Sequence, residues 1–123
     1  MRKKKILLVD DSKTSLFMES MILKKGPYEL LTASDGEEAV RAAEATLPDL
    51  ILMDVVMPKK NGFEAVQEIR AMRSIRQTPI IMVTTRGEGP NVEIGFESGC
   101  NDYVTKPIDG VELMAKVKGF LGD

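Results

Sequence analysis

Apolar residues fall along this chain in two rhythms. Short aliphatic runs, Lys5–Val9, Tyr28–Ala33, Asp49–Met53 and Pro79–Val83, alternate with stretches where apolar side chains return every three or four positions. A continuous run closed by polar residues is the pattern of a strand buried on both faces, and the longer period is that of an amphipathic helix. Ser12 predicts the cap of a helix from Lys13 to about Lys24 that turns Leu16, Phe17, Ser20, Met21 and Leu23 inward, with Gly26-Pro27 closing it. Ser34 followed by Glu37 reads as a capping box and opens a second helix through Ala39, Val40, Ala43 and Leu47, stopped by Pro48. A loop with Met57-Pro58 and Asn61-Gly62 leads to a third helix carrying Val66, Ile69 and Met72. Thr85 to Pro90 reads as a loop, and a short fourth helix runs to about Ser98. Asp102–Val104 is a brief fifth strand before Lys106-Pro107. The last helix starts near Asp109, with Leu113, Met114, Val117, Phe120 and Leu121 on one face.

Five strands alternating with five helices imply βαβ units and a parallel sheet, doubly wound because the crossovers are right-handed. Ligands in such folds bind beyond the carboxyl ends of the strands, at the point where strand order reverses. With 123 residues, one domain over 1–123 is the expectation. A net charge of −2 and the lack of a basic stripe argue against nucleic-acid binding. The single cysteine, Cys100, excludes an internal disulfide and fits a reducing compartment, the cytoplasm; it reads as a small buried apolar residue. The lysine run behind Met1 precedes only four apolar residues, so it reads as a solvated lead-in to a strand rather than a secretory segment. No run approaches the ~20 apolar residues of a membrane span. Histidine is absent, which excludes a Ser-His-Asp triad, His-ligated zinc and a phosphohistidine donor. The eight methionines read as core filler.

The distinctive polar residues collect at strand ends. Asp10 and Asp11 follow the first strand, Asp54 the third, Thr84 the fourth and Lys106 the fifth. One aspartate after a strand is ordinarily a turn or cap residue. Three aspartates, a hydroxyl and a lysine on one rim are harder to dismiss. Three close carboxylates repel one another, and a divalent cation removes the conflict. All-oxygen ligation suits Mg²⁺, with Mn²⁺ also fitting, and disfavours zinc. Such a cation prepares a carboxylate for attack on phosphorus, and Asp54, flanked by the other groups, is the natural nucleophile. Lys106 supplies a mobile point charge for phosphoryl oxygens.

The segments ILLVDDS (6–12), PDLILMDVVMPKKNGFE (48–64), PIIMVTT (79–85) and GCNDYVTKPID (99–109) resemble the receiver domain of two-component response regulators, over the whole chain. The resemblance implies a flavodoxin-like, CheY-like fold with sheet order 2-1-3-4-5. It implies Asp54 as phosphoacceptor, with Asp10, Asp11, Asp54 and the backbone carbonyl of Val56 as metal ligands. It makes Thr84 the switch hydroxyl, Lys106 the phosphoryl-binding lysine and Tyr103 a rotating aromatic, with Lys106-Pro107 in the cis form. A histidine kinase is the implied phosphodonor, and the face of the fourth helix, fifth strand and fifth helix the implied readout surface. The implied protein is a signalling switch rather than an enzyme, a monomer or weak phosphorylation-dependent dimer, with a hint of chemotaxis or motility.

Three positions depart from the commonest pattern. Thr85 stands where a small residue is usual, and Val56 and Arg86 stand at positions that tune dephosphorylation in similar proteins. An apolar and a basic residue there speak for a phosphoryl lifetime longer than a few seconds. Other readings are an excised receiver of a larger regulator, a phosphorelay intermediate, an aspartyl-nucleophile phosphatase and an FMN carrier. The phosphatase pattern places its nucleophile after the first strand as Asp-x-Asp, and an FMN phosphate loop needs Ser, Thr and Gly where this chain has Asp10-Asp11.

Overall fold

The structure, a computed structural model, describes residues 3–55, 57, 60–85 and 99–122, with Thr85 by its backbone alone. The elements in order are β1 (Lys4–Val9), α1 (Lys13–Leu23), β2 (Tyr28–Ala33), α2 (Gly36–Thr46), β3 (Leu50–Asp54), α3 (Gly62–Ala71), β4 (Ile80–Thr85), β5 (Asp102–Lys106) and α4 (Gly110–Leu121). All four strand pairings are parallel, as the alternation of elements implied, and the sheet order is β2-β1-β3-β4-β5, as the family resemblance implied. The chain passes from β1 to β2 on one side and then crosses back to β3 on the other side of β1. The switch point therefore lies between the ends of β1 and β3, where Asp10 and Asp54 sit.

Alternation along the strands divides the core into two layers. Leu7, Val9, Ile51, Met53, Ile80 and Met82 face α2 and α3. Ile6, Leu8, Leu50, Leu52, Ile81 and Val83 face α1 and α4, meeting Leu23, Leu113 and Val117. Because both faces are covered, the central strands are aliphatic throughout, which is why they showed as continuous runs.

Several boundaries differ from the sequence reading. β3 includes Asp54 and β4 extends through Thr84, so these residues close or occupy strands rather than follow them. Four helices are present among the described residues; the short helix expected near Ser98 lies outside them. On α1 the expected inward face is wrong at Phe17 and Met21, which are 63% and 55% exposed. The stripe that packs inward runs through Leu16, Glu19 and Leu23, and a glutamate in its middle disguised it. Met18 is also exposed, so α1 carries methionines that are not core filler. The α2 cap is Asp35, whose carboxylate accepts from Glu38 N–H at 2.8 Å, and not Ser34. Ser34 Oγ instead donates to the Glu38 carboxylate at 2.9 Å. A true capping box occurs at Asn61 and Glu64, where side chain and backbone bond reciprocally at 2.9 and 3.1 Å. α2 ends at Thr46 with Leu47 in the left-handed region (φ 50°) before Pro48.

Candidate functional site

Strand alternation decides which side chains meet at the switch point. Asp54 ends β3 on the Leu50 and Leu52 side, and Lys106 ends β5 on the Val104 side. Asp10 extends β1, its N–H donating to the Ala33 carbonyl at 3.1 Å, and it is fully buried. All three thus belong to the layer covered by α1 and α4. Asp11 is exposed at the mouth. Asp10, Asp11 and Asp54 can each present one carboxylate oxygen within 4.8 Å of the others.

Lys106 ties this group together. Its Nζ donates to Asp10 Oδ2 at 3.2 Å and lies 3.7 Å from Asp54 Oδ1. Ser15 Oγ, on the first turn of α1, is 3.5 Å from the same nitrogen. The other Asp10 oxygen accepts from Ser12 N–H at 2.9 Å, fixing the carboxylate as the chain turns into α1. Ser12 also caps that helix through Ser15 N–H. The Lys106-Pro107 peptide is cis.

The charges do not balance. Burial and the repulsion of Asp10 push the Asp54 carboxyl up to about 7, against the pull of Lys106; Asp11 adds to the rise and the Val55 N–H opposes it. Burial works against the Lys106 ammonium, but Asp54, Asp10 and Glu19 outweigh it and hold its pKa above the ordinary value. Three carboxylates against one ammonium leave a site short of positive charge. An oxygen-seeking divalent cation fits that donor set.

Thr84 and Tyr103 stand apart from this cluster. Register pairs Met82 with Tyr103 and Thr84 with Thr105, so Thr84 and Tyr103 share the face of the sheet that α2 and α3 cover. Thr84 is buried, and Tyr103 is half-buried against that core layer, two rungs deeper than the rim. Lys116 on α4 holds the Tyr103 carbonyl at 2.7 Å and Asp102 at 2.9 Å, its Nζ 5.5 Å from the centre of the Tyr103 ring. Val56, Arg86 and the Thr85 side chain lie outside the described residues. Cys100 is buried as expected, and burial pushes its thiol pKa up.

A family model described as "Response regulator receiver domain" matches residues 6–118. The chain belongs to that family. Receivers are signalling domains phosphorylated by histidine kinases, and this receiver has their fold. The alkaline phosphatase synthesis transcriptional regulatory protein PhoP of Bacillus subtilis is 41% identical to it over 118 residues, covering 96% of this chain and 48% of PhoP. The receiver therefore spans about half the length of PhoP. Protein PilH of Pseudomonas aeruginosa is 35% identical over 117 residues, covering 95% of this chain and 97% of PilH. Among solved structures, the receiver domain of a sensor histidine kinase from Pseudomonas aeruginosa PAO1 superposes with a TM-score of 0.91 at 34% identity. That match covers 99% of this chain and 100% of the other, which has a magnesium ion coordinated in its active site cleft. The acidic cluster of the present receiver is of the kind found in receivers that bind Mg²⁺. Among the described residues no helix is long and apolar enough to cross a membrane.

The sequence reading missed Ser15 and Glu19 on α1 and Lys116 on α4. The signal for the first two was present: they are polar residues four apart, three turns or less beyond the Asp10-Asp11 pair, on the stripe that Leu16 and Leu23 mark as inward.

Proposed function

We propose that this receiver accepts a phosphoryl group on Asp54 from a phosphohistidine of a histidine kinase. The observation that carries the reading is the convergence of Asp10, Asp11 and Asp54 beside Lys106. An Asp54 oxygen attacks phosphorus as the P–N bond to the donor imidazole breaks; the electron pair stays on that nitrogen, which takes up a proton. Asp10, Asp11, Asp54 and the Val56 carbonyl would hold Mg²⁺, which supplies positive charge to the transferring oxygens. Lys106 is near enough to transfer its hydrogen bond from Asp10 to a phosphoryl oxygen.

Phosphorylation adds charge and acceptor oxygens at the end of β3. In this reading the Thr84 hydroxyl moves to meet one oxygen, and Tyr103, on the same face of the sheet, turns into the space that Thr84 leaves. Lys116 links that movement to α4. The output is contact with another protein through β5 and the neighbouring helices, in a monomer or a weak phosphorylation-dependent dimer. Val56, Thr85 and Arg86 set the lifetime of the phosphoryl group beyond a few seconds. The test is labelling by a small phosphodonor with Mg²⁺, which Asp54→Asn abolishes.

A further inference from the structure

Glu19 lies on the inner face of α1 with 1% of its surface exposed, and neither carboxylate oxygen has a hydrogen-bond partner among the described residues. A buried polar group left unpaired is rare and costly, and an apolar side chain would be more stable there. Ser15 precedes it by one turn on the same stripe, and Ser15 Oγ already reaches Lys106 Nζ at 3.5 Å. Asp10, Lys106 and Asp54 all act on Glu19 electrostatically, and Glu19 acts in turn on Lys106.

Lys106 has a conflict to resolve. Its ammonium sits 3.2 Å from Asp10 and 3.7 Å from Asp54, two of the carboxylates that would hold a cation. Two positive groups cannot share those oxygens without repulsion, and an ammonium displaced into the interior with no acceptor would be expensive.

We propose that Glu19 and Ser15 form a second berth for the Lys106 ammonium, occupied when a divalent cation engages Asp10 and Asp54. The proposal rests on the phosphoacceptor reading, since it presupposes that cation. Glu19 is then a positioning residue acting through Lys106. By taking the ammonium it frees the oxygens of Asp10 and Asp54 while keeping Lys106 within reach of the site. What the berth needs is a side-chain oxygen at position 19, so Glu19→Gln retains it and Glu19→Met, of similar length, does not.

The test titrates Mg²⁺ alone into the full chain by calorimetry, for the wild type, Glu19→Gln and Glu19→Met, with thermal midpoints in EDTA. Glu19→Met is expected to weaken Mg²⁺ binding about fivefold, the effect of one lost hydrogen bond. Glu19→Gln should stay within about twofold of the wild type. The thermal midpoint of Glu19→Met should not fall, because a costly buried carboxyl has gone. Equal binding by all three chains would overturn the berth alone, as would equal weakening in both variants, which would be a charge effect. A wild type that does not bind Mg²⁺ would count against the berth and the metal-assisted reading together. The wild type gives a further check without any substitution. Mg²⁺ should strengthen the NMR contact between Lys106 Cε protons and Glu19 Cγ protons, and an unchanged contact overturns the proposal.

Discussion

Lys106 is the residue on which the site turns, because its one ammonium serves two carboxylates now and a phosphoryl oxygen in the proposed active form. A charged hydrogen bond contributes about 1.5–3 kcal/mol, whereas moving a two-state equilibrium from 1:99 to 99:1 takes about 5.5 kcal/mol. One contact is too little; in the proposed switch Thr84 and Lys106 together would nearly suffice. With beryllofluoride and Mg²⁺ as the phosphoryl mimic, Thr84→Ala and Lys106→Met should each weaken binding about tenfold or more. Each should also leave amide shifts at Tyr103 part-way to the wild-type end point. A single substitution with the full wild-type shift would contradict this division of labour. Asp10, Asp11 and Asp54 were legible in the sequence because they close aliphatic runs, and Lys106 because it ends the short fifth strand before Pro107; the parallel sheet brings those ends to one rim. Glu19 was missed. It shares the inward stripe of Leu16 and Leu23, but the rim it faces forms only when β1, β3 and β5 are assembled behind α1.

At the scale of elements, the Asn61-Gly62 pair shows how a turn signal can conceal a tighter constraint. Asn61 caps α3, and the Gly62 N–H donates to the Val55 carbonyl at 2.9 Å. A β-carbon on Gly62 would collide with the Asp54 carbonyl oxygen and crowd the Met82 methyl. α3 therefore starts directly against the backbone that carries Asp54. Gly62→Ala should cost about 1–3 kcal/mol through overpacking, read as a lower urea midpoint with an unchanged slope, and should disturb Asp54 chemistry too. An alanine variant as stable as the wild type would remove this constraint from the account. The alternation of strands with α1, α2, α3 and α4 followed from the two hydrophobic periods, and the order of strands in the sheet from the family resemblance. The inward face of α1 did not, because Phe17, Met18 and Met21 lie outside and a buried glutamate lies inside. The α2 cap was misplaced by one residue because Ser34 and Asp35 are both good caps, and it is the Asp35 carboxylate that meets the Glu38 N–H.

Over the whole molecule, a buried acidic site makes stability depend on pH. Burial, with the Asp10 charge next, raises Asp54 from 3.8 to about 7 and Glu19 from 4.5 to about 8. Between those limits the folded chain holds protons that the unfolded chain has released, so folding loses free energy as pH rises. In EDTA the thermal midpoint should therefore decline from about pH 4 to about pH 8, and Asp54→Asn should flatten the decline and raise the midpoint at pH 8. A midpoint that rises through this window would contradict the assigned environment. In the proposed function a bound cation would relieve that shortage of positive charge, and the cation with Lys106 would then attract the anionic phosphoryl group to the end of β3. The most direct measurement is single-turnover labelling with a ³²P-bearing small phosphodonor, with Mg²⁺ and with EDTA, for the wild type and Asp54→Asn. The account predicts one acid-stable, base-labile label per wild-type chain, dependent on Mg²⁺, persisting beyond a few seconds and absent from Asp54→Asn. A label that survives in Asp54→Asn, or a wild type that takes up none, would contradict it.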